Sequence, residues 1–307
     1  QTLATRIIAE VEAKLQENTA AVVDPLFIGA CSDLLADESL DPAMVAHMLS
    51  LPSENYLAEL ASQSGGANVD TLHAARVTVK QALGAALAPQ LLSRYHRLAT
   101  ERSYAPDAQQ IADRCLRNVC LGYLVGADPG NVELAQQQYR DAGNMTDRLA
   151  ALREIADHGN ADQRHNALQG FYLDWQHETL VVNQWLQVQA TIPDAEALSR
   201  VQALMSHEAF DLRNPNKARS LVGAFANQNP INFHRLDGAG YRFLADIVIT
   251  LNTRNPQLAA RLLTPLTKWR SYLGREDLMR TELERLKAQP DLSADVFEVV
   301  MKSLQPV

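Results

Sequence analysis

The sequence predicts an all-α fold, an irregular α-solenoid or helical superhelix of about sixteen short helices packed in layers. Apolar residues recur at three- and four-residue spacing along almost the whole chain, which is the period of a helix with one buried face. Asp-Pro and Asn-Pro pairs mark several helix starts. No stretch alternates polar and apolar residues between turns, as a half-buried strand would.

The helix boundaries follow from capping residues and prolines. Asp41-Pro42, Asn214-Pro215 and Asn255-Pro256 each place an N-cap side chain before a proline at the first helical position. Pro89 interrupts a long apolar pattern and is expected to kink or split it. The expected helices lie near residues 2–17, 24–36, 41–50, 53–63, 69–100, 107–125, 130–142, 145–157, 161–176, 178–190, 194–206, 215–228, 240–252, 256–272, 276–288 and 293–304.

The segment 107–125 shows the one-sided pattern clearly. Asp113, Arg114 and Arg117 lie largely off its apolar stripe, so we expect them on the polar face. The stripe comprises Ala112, Leu116, Val119, Cys120, Tyr123 and Leu124.

The three cysteines are odd in number, and each lies in an apolar helical pattern. We expect Cys31, Cys115 and Cys120 to be buried and reduced, because free cysteine packs as a small hydrophobe. Reduced thiols indicate a reducing compartment, so the predicted localisation is cytoplasmic.

Composition limits the classes of function. Hydrophobic residues make up 47% and charged residues 21% of the 307 residues, as in a packed globular protein. The formal net charge of −8, without a basic run, disfavours nucleic acid and membrane surfaces as partners. Without a long glycine or serine linker, residues 1–307 are expected to form a single domain. The chain opens on Gln1, and we expect it to be part of a longer polypeptide.

No self-sufficient catalytic motif is visible. A zinc-peptidase helix needs H-E-x-x-H, but His177-Glu178 is followed by Val181 and His207-Glu208 by Asp211. No G-x-S-x-G elbow occurs. We therefore predict no catalytic residue, no metal ligand and no cofactor in this chain.

Three polar residues stand beside apolar helical stripes. Gln257 and Arg261 are four residues apart and project from one helix face, and Arg219 has a similar relation to its apolar neighbours. Two guanidinium groups facing a cavity would favour the carboxylate end of a peptide. Ordinary solvated or ion-paired arginines are the alternative interpretation of the same spacing.

Ten short segments, each weak alone, together carry a family pattern. The segments are residues 41–43, 51–54, 117–124, 144–152, 214–216, 219–225, 233–234, 237–238, 240–241 and 254–257. In this order and spacing they make the chain specifically resemble, over essentially its whole length, the C-terminal helical domain of bacterial aminopeptidase N, a zinc metallo-aminopeptidase of the gluzincin type. One departure is Gln184-Trp185-Leu186, where Lys-Trp-Phe is usual in the family.

The resemblance implies a non-catalytic domain that encloses the active-site cavity, limits substrate size and lines the substrate pocket. By resemblance, Gln257 reaches the pocket for the first side chain of the substrate, and Arg261 and Arg219 line the leaving-peptide side. The zinc ion belongs to a catalytic domain of the same parent polypeptide, and short peptides are the substrates. The isolated chain is expected to be inactive. An independent α-solenoid scaffold that binds another protein is the alternative.

Overall fold

A computed structural model describes residues 2–99 and 103–305, and most of these residues lie in helices. The all-α prediction is confirmed. The only strand-like pairing among the described residues is a single bridge between Ala67 and Tyr272. The α-helices are α1 Thr2–Gln16, α2 Pro25–Ala36, α3 Pro42–Leu49, α4 Glu54–Ser62, α5 Val69–Ala86, α6 Ala88–Arg97, α7 Ala108–Ala127, α8 Val132–Asp141, α9 Met145–His158, α10 Ala161–Trp175, α11 Thr179–Thr191, α12 Ala197–Leu204, α13 Pro215–Ala218, α14 Ala224–Gln228, α15 Pro230–Phe233, α16 Ala239–Asn252, α17 Pro256–Leu262, α18 Thr264–Thr267, α19 Glu276–Lys287 and α20 Ala294–Leu304. The remaining helical segments are two 3₁₀ turns, Pro129–Asn131 and Trp269–Ser271, and one short π-helix, Arg219–Gly223, which we call the π-turn.

The three predicted Asx-Pro helix starts are confirmed. The side chain of Asp41 accepts hydrogen bonds from the backbone of Ala43 and Met44, and Asn214 and Asn255 cap α13 and α17 in the same manner. Each cap satisfies backbone N–H groups that have no partner within the first turn. These helix starts are therefore fixed by local hydrogen bonds.

Prolines divide two of the predicted helices. The expected helix 69–100 is split near Pro89, because α5 ends at Ala86 and α6 begins at Ala88. The expected helix 256–272 is also divided, into α17, α18 and a 3₁₀ turn. Pro265 lies in the first turn of α18. Backbone N–H groups in a first turn have no partner within the helix, so a proline there costs no helical hydrogen bond. The prediction of one continuous helix over 256–272 is wrong for this reason.

Helix α7 is enclosed on several sides by α3, α6 and α9. Asp113 and Arg114 are buried, so the prediction that they lie on a polar outer face is wrong, and Arg117, the third residue of that prediction, is half-buried. Cys115 is exposed, so its predicted burial is also wrong, whereas Cys31 and Cys120 are buried as expected. A single apolar stripe cannot reveal how many neighbouring helices surround it.

Contacts between Cα atoms divide the chain into two compact units. The first unit is Gln1–Ser53 with Thr71–Gly170, and the second is Glu54–Asp70 with Phe171–Val307. Each unit has its own buried helices. The expectation of a single domain over residues 1–307 stays a prediction.

An aromatic cluster forms part of the core of the second unit. The ring centroids of His234 and Tyr272 are 3.9 Å apart, and the Nδ1 atom of His234 lies 2.8 Å from the hydroxyl oxygen of Tyr241. The guanidinium of Arg275 is buried beside it, where it donates to the carbonyl of His234 and to Asp70. Burial, together with the positive charge of Arg275, lowers the pKa of His234 to about 3.

Candidate functional site

Helix α17 holds two of the predicted site residues on a fixed surface. Leu258 and Leu262 are buried, and the helix packs against α16 and α20. Gln257 and Arg261 lie one turn apart and are both exposed. The buried leucines therefore fix the direction in which the two polar side chains project.

The side chains of Gln257 and Arg261 have no protein partner. Among residues 2–99 and 103–305, neither side chain hydrogen-bonds or ion-pairs with another residue. The backbone carbonyl of Arg261 accepts a hydrogen bond from the hydroxyl of Thr264 at 2.9 Å. The guanidinium keeps its full set of five donors for solvent or a ligand.

Arg219 is the first residue of the π-turn that joins α13 to α14. Leu221 and Val222 of this turn are buried, while the Arg219 side chain is exposed and donates to the Asn216 side chain at 2.6 Å. A π-turn inside an α-helix is uncommon and frequently marks a functional position. The sequence predicted a continuous helix over 215–228 and gave no signal for this turn.

A groove beside Arg219 is lined mostly by side-chain amides. We call it the amide groove; its volume is about 490 Å³. Asn183 is only 6% exposed, and its Oδ1 has no hydrogen-bond partner among the described atoms. Side-chain amides both donate and accept, as a peptide main chain does. The groove is lined by Leu180, Asn183, Gln184, Gln187, Asn216, Arg219, Ser220 and Gln228.

Sequence reasoning missed the amide groove, although a signal was present. Four of its residues, Leu180, Asn183, Gln184 and Gln187, follow the i, i+3, i+4, i+7 spacing of one helix face on α11. Such a face is easily taken for an ordinary solvated surface. Only the approach of the π-turn makes it one wall of a groove.

The two segments that carry Gln257, Arg261 and Arg219 contact each other, but the three side chains do not line one groove. Helix α17 packs against the π-turn, where the Leu262 side chain would lie 3.5 Å from a Cβ atom built on Gly223. Arg219 lines the amide groove, whereas Gln257 and Arg261 are not among its lining residues. Within the described part of the chain, the side chain of Arg219 makes no hydrogen bond to either of them. Their common role at a substrate cavity stays a prediction.

The described residues offer no donor set that fits zinc. No group of three or more His, Cys, Asp or Glu side chains lies close enough together among them to hold a metal ion. His207 instead packs against the rings of Tyr172 and Trp185, with centroids 4.9 and 5.3 Å away. We therefore derive no zinc chemistry from the side chains of this chain. No helix in the described ranges is both long and apolar enough to span a bilayer.

Comparison with known proteins identifies the class of this helical fold. The family described as "Domain of unknown function (DUF3458_C) ARM repeats" matches residues 1–305, and the chain belongs to this family. The helical-repeat architecture expected from the sequence agrees with that description.

The relatives of the chain are aminopeptidases. The chain is 39% identical to aminopeptidase N of Haemophilus influenzae over 95% of this chain and 33% of that protein. It is 39% identical to the Escherichia coli aminopeptidase N over 88% of this chain and 31% of the relative. The crystal structure of Legionella pneumophila aminopeptidase A in complex with aspartic acid superposes with a TM-score of 0.87 at 30% identity, covering 98% of this chain and 36% of that one. The resemblance to the helical domain of bacterial aminopeptidase N is confirmed.

The matches also define how much of a relative this chain represents. The chain spans about a third of the length of the curated relatives it matches. It is thus homologous to one region of an aminopeptidase, and the remaining two thirds of each relative have no counterpart in it.

Proposed function

We propose that this chain is the non-catalytic C-terminal domain of a zinc aminopeptidase that removes N-terminal residues from peptides. In this proposal the helices form a wall of the active-site cavity and restrict entry to short peptides. The observation that carries it is the match of nearly the whole chain to one third of aminopeptidase N. The catalytic domain of the same parent polypeptide, which would hold the zinc ion, is the proposed partner.

Gln257, Arg261 and Arg219 are the residues proposed to meet the substrate. The exposed, unpaired guanidinium of Arg261 can form a planar pair of hydrogen bonds with the C-terminal carboxylate of a peptide. Gln257, one turn away, would contact the first side chain of the substrate. Arg219 would act on the leaving-peptide side, beside amides that can pair with a peptide main chain. These roles concern binding and positioning and not the bond-breaking step.

Free thiols support a cytoplasmic location for the parent enzyme. Cys31, Cys115 and Cys120 are unpaired, and unpaired cysteines suit a reducing compartment. Neither nucleic acid nor a membrane is proposed as a partner.

The test compares substrates with and without a leaving peptide. In the full-length parent enzyme, Arg261→Ala should raise KM for tripeptides by about three- to tenfold, because one solvent-exposed charge-assisted pair is lost. KM for an aminoacyl reporter without a leaving-side carboxylate should change little, and kcat should be retained for both substrates. Arg280→Ala is the matched control, since Arg280 is also exposed but is paired with Asp277 at 3.1 Å.

Two results would contradict the proposal. An equal rise of KM for tripeptide and reporter would show that Arg261 does not bind the C-terminal carboxylate of the substrate. Hydrolysis of an aminoacyl reporter by the purified 307-residue chain alone would show that the catalytic groups lie within it.

A further inference from the structure

A second polar cavity lies in the first unit, beside α7. We call it the α7 cavity; its volume is about 390 Å³, and its walls come from the end of α6, α7, α8 and the start of α9. All its described lining residues belong to the first unit, whereas Gln257, Arg261 and Arg219 belong to the second. The α7 cavity therefore shares no described lining residue with the three residues proposed to meet the substrate.

Arg114 is the unusual residue of this cavity. It is 9% exposed, and its guanidinium carbon lies 5.1 Å from the centre of the Tyr104 ring. Within residues 2–99 and 103–305, no carboxylate or carbonyl accepts a hydrogen bond from it. Burying a guanidinium without an acceptor is costly, so this arrangement favours an anion that enters the cavity.

Arg117 supplies a second positive charge from the same helix. It lies three residues beyond Arg114, on the same side of α7, and also lines the cavity. Its guanidinium donates to the Tyr95 hydroxyl at 3.2 Å and lies 3.6 Å from Asp147. The Nε atom of Arg117 has no hydrogen-bond partner in the described part of the chain. The helix thus presents more donors than its neighbours can accept.

The carboxylates of the cavity wall already have donors. Asp147 accepts hydrogen bonds from Asn118 and Asn144, each at 2.9 Å. Asp113 accepts one from Gln109 at 2.8 Å, and Asp141, the third carboxylate of the wall, accepts one from Gln137 at 2.5 Å. The Oε1 of Gln138, in the same wall, is a buried acceptor without a hydrogen-bond partner among the described atoms. The guanidinium without a carboxylate partner is that of Arg114, which points to an anionic ligand, and the three carboxylates of the wall limit that ligand to a single negative charge.

We propose that the α7 cavity binds a small organic monocarboxylate, with the guanidinium of Arg114 as its main partner. The planar fork of arginine matches a carboxylate, and the guanidinium carbon of Arg114 lies 5.1 Å from the centre of the Tyr104 ring, within the range of a cation–π contact. Leu98, Ala99 and Ala142 are apolar residues of the lining that can contact a short carbon chain. Asp113, Asp141 and Asp147 in the wall oppose a dianion such as phosphate.

The experiment measures binding of propionate to the full chain by saturation-transfer NMR titration. Propionamide is the uncharged ligand of the same shape, and inorganic phosphate is the inorganic anion. Propionate should bind saturably, and Arg114→Gln should weaken it about tenfold or more, because a charge-assisted bidentate pair is removed. Arg6→Gln is the matched control in the same unit, since Arg6 is exposed and paired with Glu10 at 3.1 Å.

The outcomes separate the proposal from its alternatives. Equal binding of propionate and propionamide, tighter binding of phosphate, or unchanged affinity in Arg114→Gln would each overturn it. Arg114→Lys keeps the charge without the planar fork and should give intermediate affinity. If circular dichroism shows that Arg114→Gln does not fold, the affinity of Arg114→Lys for propionate becomes the test. An Arg114→Lys affinity equal to that of the unmodified chain would then overturn the proposal.

Discussion

Replacement of Gly84 by alanine tests how closely α5 approaches α7. A Cβ atom built on Gly84 would lie 2.4 Å from the carbonyl oxygen of Tyr123 and 2.6 Å from the Cβ of Ala127. Ordinary contacts between such atoms are about 3.5 Å, so the two helices must separate by about 1 Å. The nearest obstacle is backbone, which cannot rotate away as a side chain could.

The magnitude follows from two opposing effects. Alanine gains about 1 kcal/mol over glycine in a helix interior, whereas overpacking a close contact costs about 1–3 kcal/mol. Because the overlap at Gly84 is with backbone, we expect the upper part of that range and a net loss of about 1–2 kcal/mol. Gly170 in α10 is the control, because a Cβ atom there would meet no heavy atom within 4 Å. Gly170→Ala should therefore stabilise the protein by about 0.5–1 kcal/mol.

Thermal unfolding followed by circular dichroism and calorimetry measures both variants. At about 2–4 °C per kcal/mol, Gly84→Ala should lower Tm by about 2–8 °C, and Gly170→Ala should raise it slightly. If Gly84→Ala raised Tm as Gly170→Ala does, α5 and α7 would not approach this closely in solution, and the reasoning would be refuted.

Two further predictions concern buried titratable groups. Burial raises the pKa of Cys31 to about 11 and that of Cys120 to about 12. A water-soluble thiol reagent at pH 8 should therefore label only Cys115 in the native chain, and all three thiols in urea. Rapid labelling of two thiols in the native chain would contradict the burial of Cys31 and Cys120. His234, with its pKa lowered to about 3, stays neutral in the folded state while the unfolded chain takes up a proton below pH 6.5. The free energy of unfolding should then fall by about 1.4 kcal/mol for each pH unit below about 6.5 as the pH drops towards 3. Denaturant titrations at pH 7 and pH 5 should show that the free energy of unfolding depends less on pH in His234→Gln than in the unmodified chain. An unchanged pH dependence would mean that other groups cause the loss of stability.

Local interactions account for the part of the fold that could be predicted. The caps at Asp41, Asn214 and Asn255 and the break at Pro89 depend on atoms within a few residues of one another. Such short-range effects act the same way in any helical protein. The division at Pro265 belongs to this group as well, and the same proline rule would have indicated it.

The candidate site was only partly accessible to such reasoning. Spacing on one helix placed Gln257 and Arg261 on a common exposed face, and the structure agrees. It did not indicate the π-turn at Arg219 or the amide groove, because both depend on how α11 and the π-turn pack together.

The all-α fold, the starts of most helices and the family resemblance could all be predicted from the sequence. Which side chains are enclosed, in contrast, depends on the tertiary structure. Arg114 is buried and the neighbouring Cys115 is exposed, although helix periodicity predicted the reverse for both. The physical reason is that periodicity records one apolar face, whereas burial depends on every helix that packs around α7, and those neighbours are distant in sequence.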